Sequence, residues 1–251
     1  MDTVINGNNI KLFSSPYDLF QFAADDFKQR VIHCINQRGE CSVVLSGGNT
    51  PKAFFTVLSD NTYKHTIPWQ HIKFYFSDER YVPIDHVDNN YHMANTFLFS
   101  HVPVNPNNIF RIKTEYEHPH DAAIAYEKTL KKASFDFIYL GLGEDAHTAS
   151  LMPFTDIVND YSTNDKPYPL VASFFDAKEN RYRTTLTPTA LNQGGDIIFL
   201  VTGKNKAKAV LNVLQGEFNP LHYPAQLIHS QNGKTIWYLD QEAAHQLSIV
   251  L

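Results

Sequence analysis

The chain has 251 residues, room for one large α/β domain or two smaller ones, and its 43% hydrophobic and 13% aromatic content supplies a sizeable core and excludes a disordered polymer. With 21 basic against 26 acidic side chains the net charge is −5, so no global positive field is available for a nucleic-acid backbone or an anionic membrane, and any anionic ligand must be gripped locally. No apolar run approaches the roughly 18 residues of a membrane span, no basic-then-apolar leader opens the chain, and Cys34 and Cys41 are too few for a disulfide framework, which together predict a soluble cytoplasmic protein.

The first predicted element is a long helix. Ser15 is placed as N-cap, Pro16 at the first helical position and Asp18 in the first turn, and Phe20, Ala23, Phe27, Val31 and Ile35 recur along one face until Gly39 offers a left-handed stop. A β-branched strand CSVVLS (41–46) follows, then a helix from Pro51, a strand IKFYF (72–76), and helices from about Asn90 and from about Pro119 to Lys132. Strands are predicted at DFIYLGLG (136–143), RTTLT (183–187), DIIFLVTG (196–203) and KTIWYLD (234–240), with a helix over Lys204 to Leu214 and another at the C-terminus. The polar stretch Pro153 to Lys178 reads as a long loop or flap, a candidate lid. Repeated β/α alternation with near-continuous apolar strands predicts an α/β fold, a mainly parallel sheet with helices on both faces, in a single domain spanning 1–251.

Three strand ends carry candidate chemistry. In SGGNTP (46–51), Ser46, Gly47, Gly48, Asn49 and Thr50 lie where a strand meets a helix N-terminus, a geometry that suits an oxyanion and also makes a plain β-to-α turn. No Walker lysine accompanies it, so a nucleoside triphosphate is not indicated. FSDERYVP (76–83) puts Asp78, Glu79 and Arg80 after the next strand, on the side where open α/β sheets bind ligands; a solvated charged turn is the alternative, and Asp88, Asn89 and Asn90 read as caps of the following helix. EDAHTASLMP (144–153) clusters Glu144, Asp145 and His147 at a third strand end, where a carboxylate can fix the tautomer of a histidine that titrates near neutrality.

Other readings fail on their surroundings. GLGEDA (141–146) matches the loose dinucleotide pattern, but Pro153 and a polar stretch interrupt the helix that pattern requires. The sequence around Ser46 lacks the first glycine of a nucleophile elbow, HExxH is absent, and His118 with His120 has no carboxylate partner pattern for a metal. Arg181, Arg183, Lys204 and Lys206 flank two late strands as surface charges or as cations for a phosphate.

Taken in order, SGGNTP, SDERYVP with DNN, GLGEDAHTASLMP, and RTTLT followed by GKNKA resemble the 6-phosphogluconolactonase family, and PAQLI (224–228) and WYLDQEAA (237–244) extend the similarity to the C-terminus. The resemblance implies a sugar-phosphate isomerase-like, Rossmann-like fold and hydrolysis of 6-phospho-D-glucono-1,5-lactone to 6-phosphogluconate, the second step of the oxidative pentose phosphate pathway. It implies no metal and no organic cofactor, a small-molecule sugar-phosphate lactone as partner, and a monomer or weak homodimer. By the family pattern His147 is the general base and Asp145 its acidic neighbour. Arg80, Arg183 and Lys206 contact the phosphate or ring, and the SGGNTP turn and Asp78 line the same pocket.

Two relatives of that reading stay in view. Glucosamine-6-phosphate deaminase shares the fold and the early glycine motif, but its segment after the histidine resembles an FNEP pattern carrying a further glutamate, where this chain has TASLMP. A non-catalytic sugar-phosphate sensor would keep the phosphate contacts and dispense with the base. Ala146 stands where the family usually has glycine, so a positive φ there would cost roughly 1 kcal/mol, and Asn49 replaces the commoner serine or threonine.

Overall fold

The computed structural model describes residues 2–131, 133–163 and 168–248. The chain opens with a hairpin, β1 (Asp2–Ile5) and β2 (Asn8–Phe13), which the sequence reading missed. Its signal was present: Asn6 and Gly7 take φ of 46° and 79° as the two residues joining antiparallel strands, the conformation a type I′ turn demands. Helix α1 (Pro16–Arg38) follows, with Ser15 accepting from the Asp18 amide and Gly39 ending it at φ 81°.

Alternation then proceeds through β3 (Cys41–Leu45), α2 (Asn49–Leu58), α3 (Asn61–Lys64), β4 (Ile72–Phe76), β5 (Asp78–Arg80) and α4 (Asn90–Ala94). The second half contains β6 (Ile109–Phe110), α5 (Pro119–Leu130), β7 (Phe137–Leu140), α6 (Asp156–Thr163), β8 (Val171–Asp176), β9 (Arg181–Leu186), α7 (Pro188–Asn192), β10 (Asp196–Val201), α8 (Ala207–Leu214), β11 (Thr235–Asp240) and α9 (Gln241–Ala244).

Eight strands form one sheet in the order β1-β2-β11-β10-β7-β3-β4-β6, parallel throughout except for the opening hairpin. Strands β3, β7 and β11 are buried along their whole length, which is why they carry unbroken apolar runs and not an alternating pattern. Phe27, Phe54, Trp69 and Tyr139 meet ring to ring between α1, α2 and the sheet, and Phe199 stacks on Trp237 at 3.9 Å.

Two expectations need correction. RTTL of the RTTLT run lies in β9, which pairs antiparallel with β5 and β8 in a separate three-stranded sheet and not in the main one. Pro153 to Lys178 is not a loop: it contains α6, anchored by buried Ile157 and Val158, and β8. Residues 164–167 of that stretch, and Lys132 at the predicted end of α5, lie outside the described residues.

Sheet order locates the site. From β3 the chain winds outward through β4 to β6, whereas β7, β10 and β11 wind the other way, so the order reverses between β3 and β7. Loops leaving the carboxyl ends of two such strands diverge and open a crevice, the usual ligand position in open α/β sheets. Here those loops are SGGNTP and GLGEDAH.

Candidate active site

A cleft of about 420 Å³ fills this crevice, lined among others by Gly47, Thr50, Asp78, Arg80, His147 and Lys206. A larger groove, about 1020 Å³, opens on the far side of Glu144 to Ala146 and is reached by Asp145 but not by His147. The smaller cavity is the candidate active site, because the histidine, both cations and the glycine turn converge there.

The glycine turn forms one wall. Gly48 is the N-cap of α2 at φ 105°, a conformation that disfavours a side chain, and no side-chain oxygen caps the helix start. Gly48, Asn49 and Thr50 therefore bring an uncapped helix N-terminus to the cleft, with the positive end of its dipole. Ser46 is committed to the scaffold: its hydroxyl lies 2.8 Å from the Tyr139 carbonyl and 2.8 Å from Ser77 Oγ.

Opposite stand Asp145 and His147. His147 Nδ1 lies 2.5 Å from Asp145 Oδ1, and the His147 amide also donates to that oxygen at 3.3 Å. Burial alone would raise the Asp145 carboxyl, but the hydrogen bond and charge of His147 bring it down to about 2. An ionised carboxylate can only accept, so Nδ1 carries the proton of this hydrogen bond. The supporting loop is strained: Ala146, Ala149 and Phe154 all take positive φ, at 62°, 48° and 61°. Ala146 thus adopts the left-handed conformation for which glycine is the ordinary choice.

Two cations complete the cleft. Lys206 is half-buried, and burial pulls its ammonium below the ordinary lysine range while Glu144 and Asp145 pull it back up; its neighbours Lys204 and Lys208 are exposed. Arg80 donates from Nη1 to Asn90 Oδ1 at 2.6 Å, and its buried Nε has no partner. Asp78, at the cleft floor, accepts from Ser77 Oγ at 2.9 Å and Ser150 Oγ at 2.6 Å. Glu144 accepts from Asn205 at 2.7 Å at the rim.

Arg183 is not brought to the cleft. Its side chain is 3% exposed, with Nε 2.7 Å from Asp176 and a terminal nitrogen 2.8 Å from Glu179, and it reaches the site only through Ser150 Oγ at 3.3 Å. Arg181 pairs at the surface with Asp88 at 2.7 Å. Residues that sequence reasoning left out include Gly143, whose missing side chain makes room for the His147 ring, and Ser150, which bridges Asp78 and Arg183. Among the described residues, one group of three side chains has metal-binding reach: Cys34, Cys41 and Asp136, whose ligand atoms lie within 4.8 Å of one another. It sits at the opposite end of β3 from the cleft, and Asp136 is already held by Arg38 and the Ser42 amide.

Residues 14–237 match the family described as glucosamine-6-phosphate isomerases/6-phosphogluconolactonase. The chain belongs to that family. It is 34% identical over 227 residues to a 6-phosphogluconolactonase of Synechocystis sp., covering 87% of this chain and 89% of the relative. A 6-phosphogluconolactonase of Haemophilus influenzae is 33% identical over 90% of this chain and 96% of its own. The crystal structure of 6-phosphogluconolactonase from Thermotoga maritima superposes with a TM-score of 0.78 at 29% identity, covering 92% of this chain and 98% of that one. Family membership brings the mostly parallel α/β fold with it, and the four segments that carried the sequence resemblance all lie within the matched residues. Among the described residues no helix is long and apolar enough to cross a membrane.

Proposed function

We propose that this protein hydrolyses 6-phospho-D-glucono-1,5-lactone to 6-phosphogluconate in the pentose phosphate pathway. The observation that carries the reading is the Asp145–His147 pair, 2.5 Å apart, beside a cleft that also holds Lys206, Arg80 and an open helix N-terminus. A lactone is an activated acyl group and needs no covalent nucleophile. His147 Nε2 takes a proton from water as the water oxygen adds to C1, and the same proton passes to the ring oxygen as the C1–O bond breaks. Asp145 holds the imidazole in the required tautomer and stabilises the imidazolium formed on the way.

The phosphate, a dianion at neutral pH, is held away from the reacting carbon by the Gly47–Thr50 turn and the cations Arg80 and Lys206, so that binding energy orients the ring. Arg183, tied to Asp176 and Glu179, supports the floor through Ser150 and does not touch substrate. Thr148 to Pro153 supplies no acidic side chain after the histidine, which favours lactone opening over deamination, a reaction needing several further proton transfers. The protein acts as a monomer or weak homodimer, and its two cysteines are buried free thiols, in keeping with the cytoplasm.

The test follows acid release from freshly generated lactone, corrected for spontaneous opening. His147→Ala is expected to lose roughly 10²- to 10⁴-fold in kcat, the range for a positioned base, while still binding 6-phosphogluconate. Near-normal turnover by the variant removes His147 from the reaction, and no acceleration by the wild type rejects the lactonase reading.

A further inference from the structure

By its position in the sequence Asn90 reads as part of a helix cap, yet Asn89 does the capping: its side-chain oxygen accepts from the His92 amide at 2.8 Å. Asn90 is the first residue of α4, 1% exposed, and its amide is used elsewhere. Nδ2 donates to the Asp78 carbonyl at 2.9 Å and Oδ1 accepts from Arg80 Nη1 at 2.6 Å. That orientation is chemically forced, because a guanidinium only donates and a carbonyl only accepts. The same amide fills the space beside Gly47, where an added β-carbon would lie 1.8 Å from Asn90 Oδ1 and 2.4 Å from Cγ.

One buried side chain therefore touches the two walls of the cleft that carry its anion-binding groups: the glycine turn after β3 and the Asp78–Arg80 strand. Its backbone is fixed independently, since Glu79 accepts from the Asn90 amide at 2.6 Å, the Tyr91 amide at 3.0 Å and the Arg80 amide at 2.9 Å. Arg80 has few other anchors. Nη1 has a long second contact to the Asp88 carbonyl at 3.4 Å, and Nε is buried without a partner. An arginine held along one edge keeps its remaining donors for a ligand in the cleft.

We infer that Asn90 is a positioning residue for the substrate's anionic group, setting the Arg80 guanidinium at a fixed distance from the Gly47 turn. This rests on the reading above in which Arg80 contacts substrate. A residue that only filled space would act on stability and leave the use of Arg80 untouched; a positioning residue acts through Arg80 and loses its effect when Arg80 is gone.

The experiment is a double-mutant cycle on KM for the lactone and Kd for 6-phosphogluconate, using Arg80→Ala, Asn90→Ala and the pair, with thermal unfolding of each protein in parallel. Each single change is expected to raise KM and Kd about tenfold with kcat within about threefold, the pattern of lost ground-state binding. The pair is expected to be no worse than Arg80→Ala alone. Losses that multiply to about a hundredfold overturn the inference and leave Asn90 a packing residue. If Asn90→Ala does not fold, Asn90→Ser, which keeps a small polar group in the space, takes its place in the cycle. Failure of both to fold while Arg80→Ala folds normally also overturns it. An unchanged KM and Kd in Arg80→Ala alone is a different result: it removes Arg80 from the substrate site and with it the premise.

Discussion

The imidazole of His147 rests against bare backbone. A β-carbon on Gly143 would lie 2.1 Å from His147 Nδ1 and 2.6 Å from Asp145 Oδ1, far inside van der Waals contact, so the Asp145–His147 contact depends on position 143 having no side chain. Gly143→Ala is therefore expected to displace the ring and lower kcat by roughly 10²-fold, the smaller end of what a positioned base supplies. Steady-state kinetics on a variant shown by circular dichroism to be folded checks this, and wild-type turnover would mean that the pair tolerates the crowding. His147 and Asp145 were legible in the sequence because a carboxylate two residues before a histidine, just past an apolar strand, leaves few geometries. Gly143 was not legible in this role, since its partner is a ring four residues on and not a turn of its own. Ala146 shows the reverse: the doubt came from family resemblance, and the loop does adopt the costly φ of 62°.

At the scale of elements, local signals were read where they act locally. The Ser15 cap, the Pro16 start and the Gly39 stop stand where placed, because each works through backbone groups within four residues of itself. Ser15→Ala is expected to destabilise the protein by about 1 kcal/mol, the usual value of an N-cap. Urea unfolding measures it; a midpoint shift indistinguishable from zero would mean that Ser14, which also donates to Asp18 at 2.5 Å, fixes this turn instead. Strand partnership was less legible. The RTTL run of β9 is buried from Arg183 onward and carries no alternation to distinguish an antiparallel satellite from the central sheet, so Arg183 reads from sequence only as a surface charge or, by family resemblance, as a substrate contact. Pairing with β8 places it instead beside Asp176, which explains why a cation read as a surface group is 3% exposed. The polar 153–178 stretch misled in the same way, since Ile157 and Val158 are too short an apolar signal to announce α6.

For the whole molecule, the sheet order converts separate motifs into one site: loops after β3 and β7 meet because the winding reverses between them, an event that no single motif encodes. Beneath that crevice lies Glu79, fully enclosed. Burial pushes its carboxyl up to about 8, even though the amides of Asn90, Tyr91 and Arg80 pull it down, with Asp78 adding to the rise. Between its ordinary value of 4.5 and about 8 the folded chain keeps a proton that the unfolded chain has released. Global stability should therefore fall as pH rises through that window, with a limiting slope of about 1.4 kcal/mol per pH unit from this group. Asp145 acts at the other extreme. Its carboxyl is held down at about 2, so its contribution is complete above the ordinary value of 3.8 and is lost as pH falls toward 2. The contributions of these two groups are together greatest on the acidic side of neutrality. Glu79→Gln removes the titration while keeping one acceptor oxygen for the amides; its absolute stability is lower, and the slope is the quantity to read. Urea unfolding of both proteins from pH 5 to 8 should show the wild type losing stability against the variant step by step, and parallel curves would mean that Glu79 is already ionised in the folded protein, its charge carried by the three amides around it.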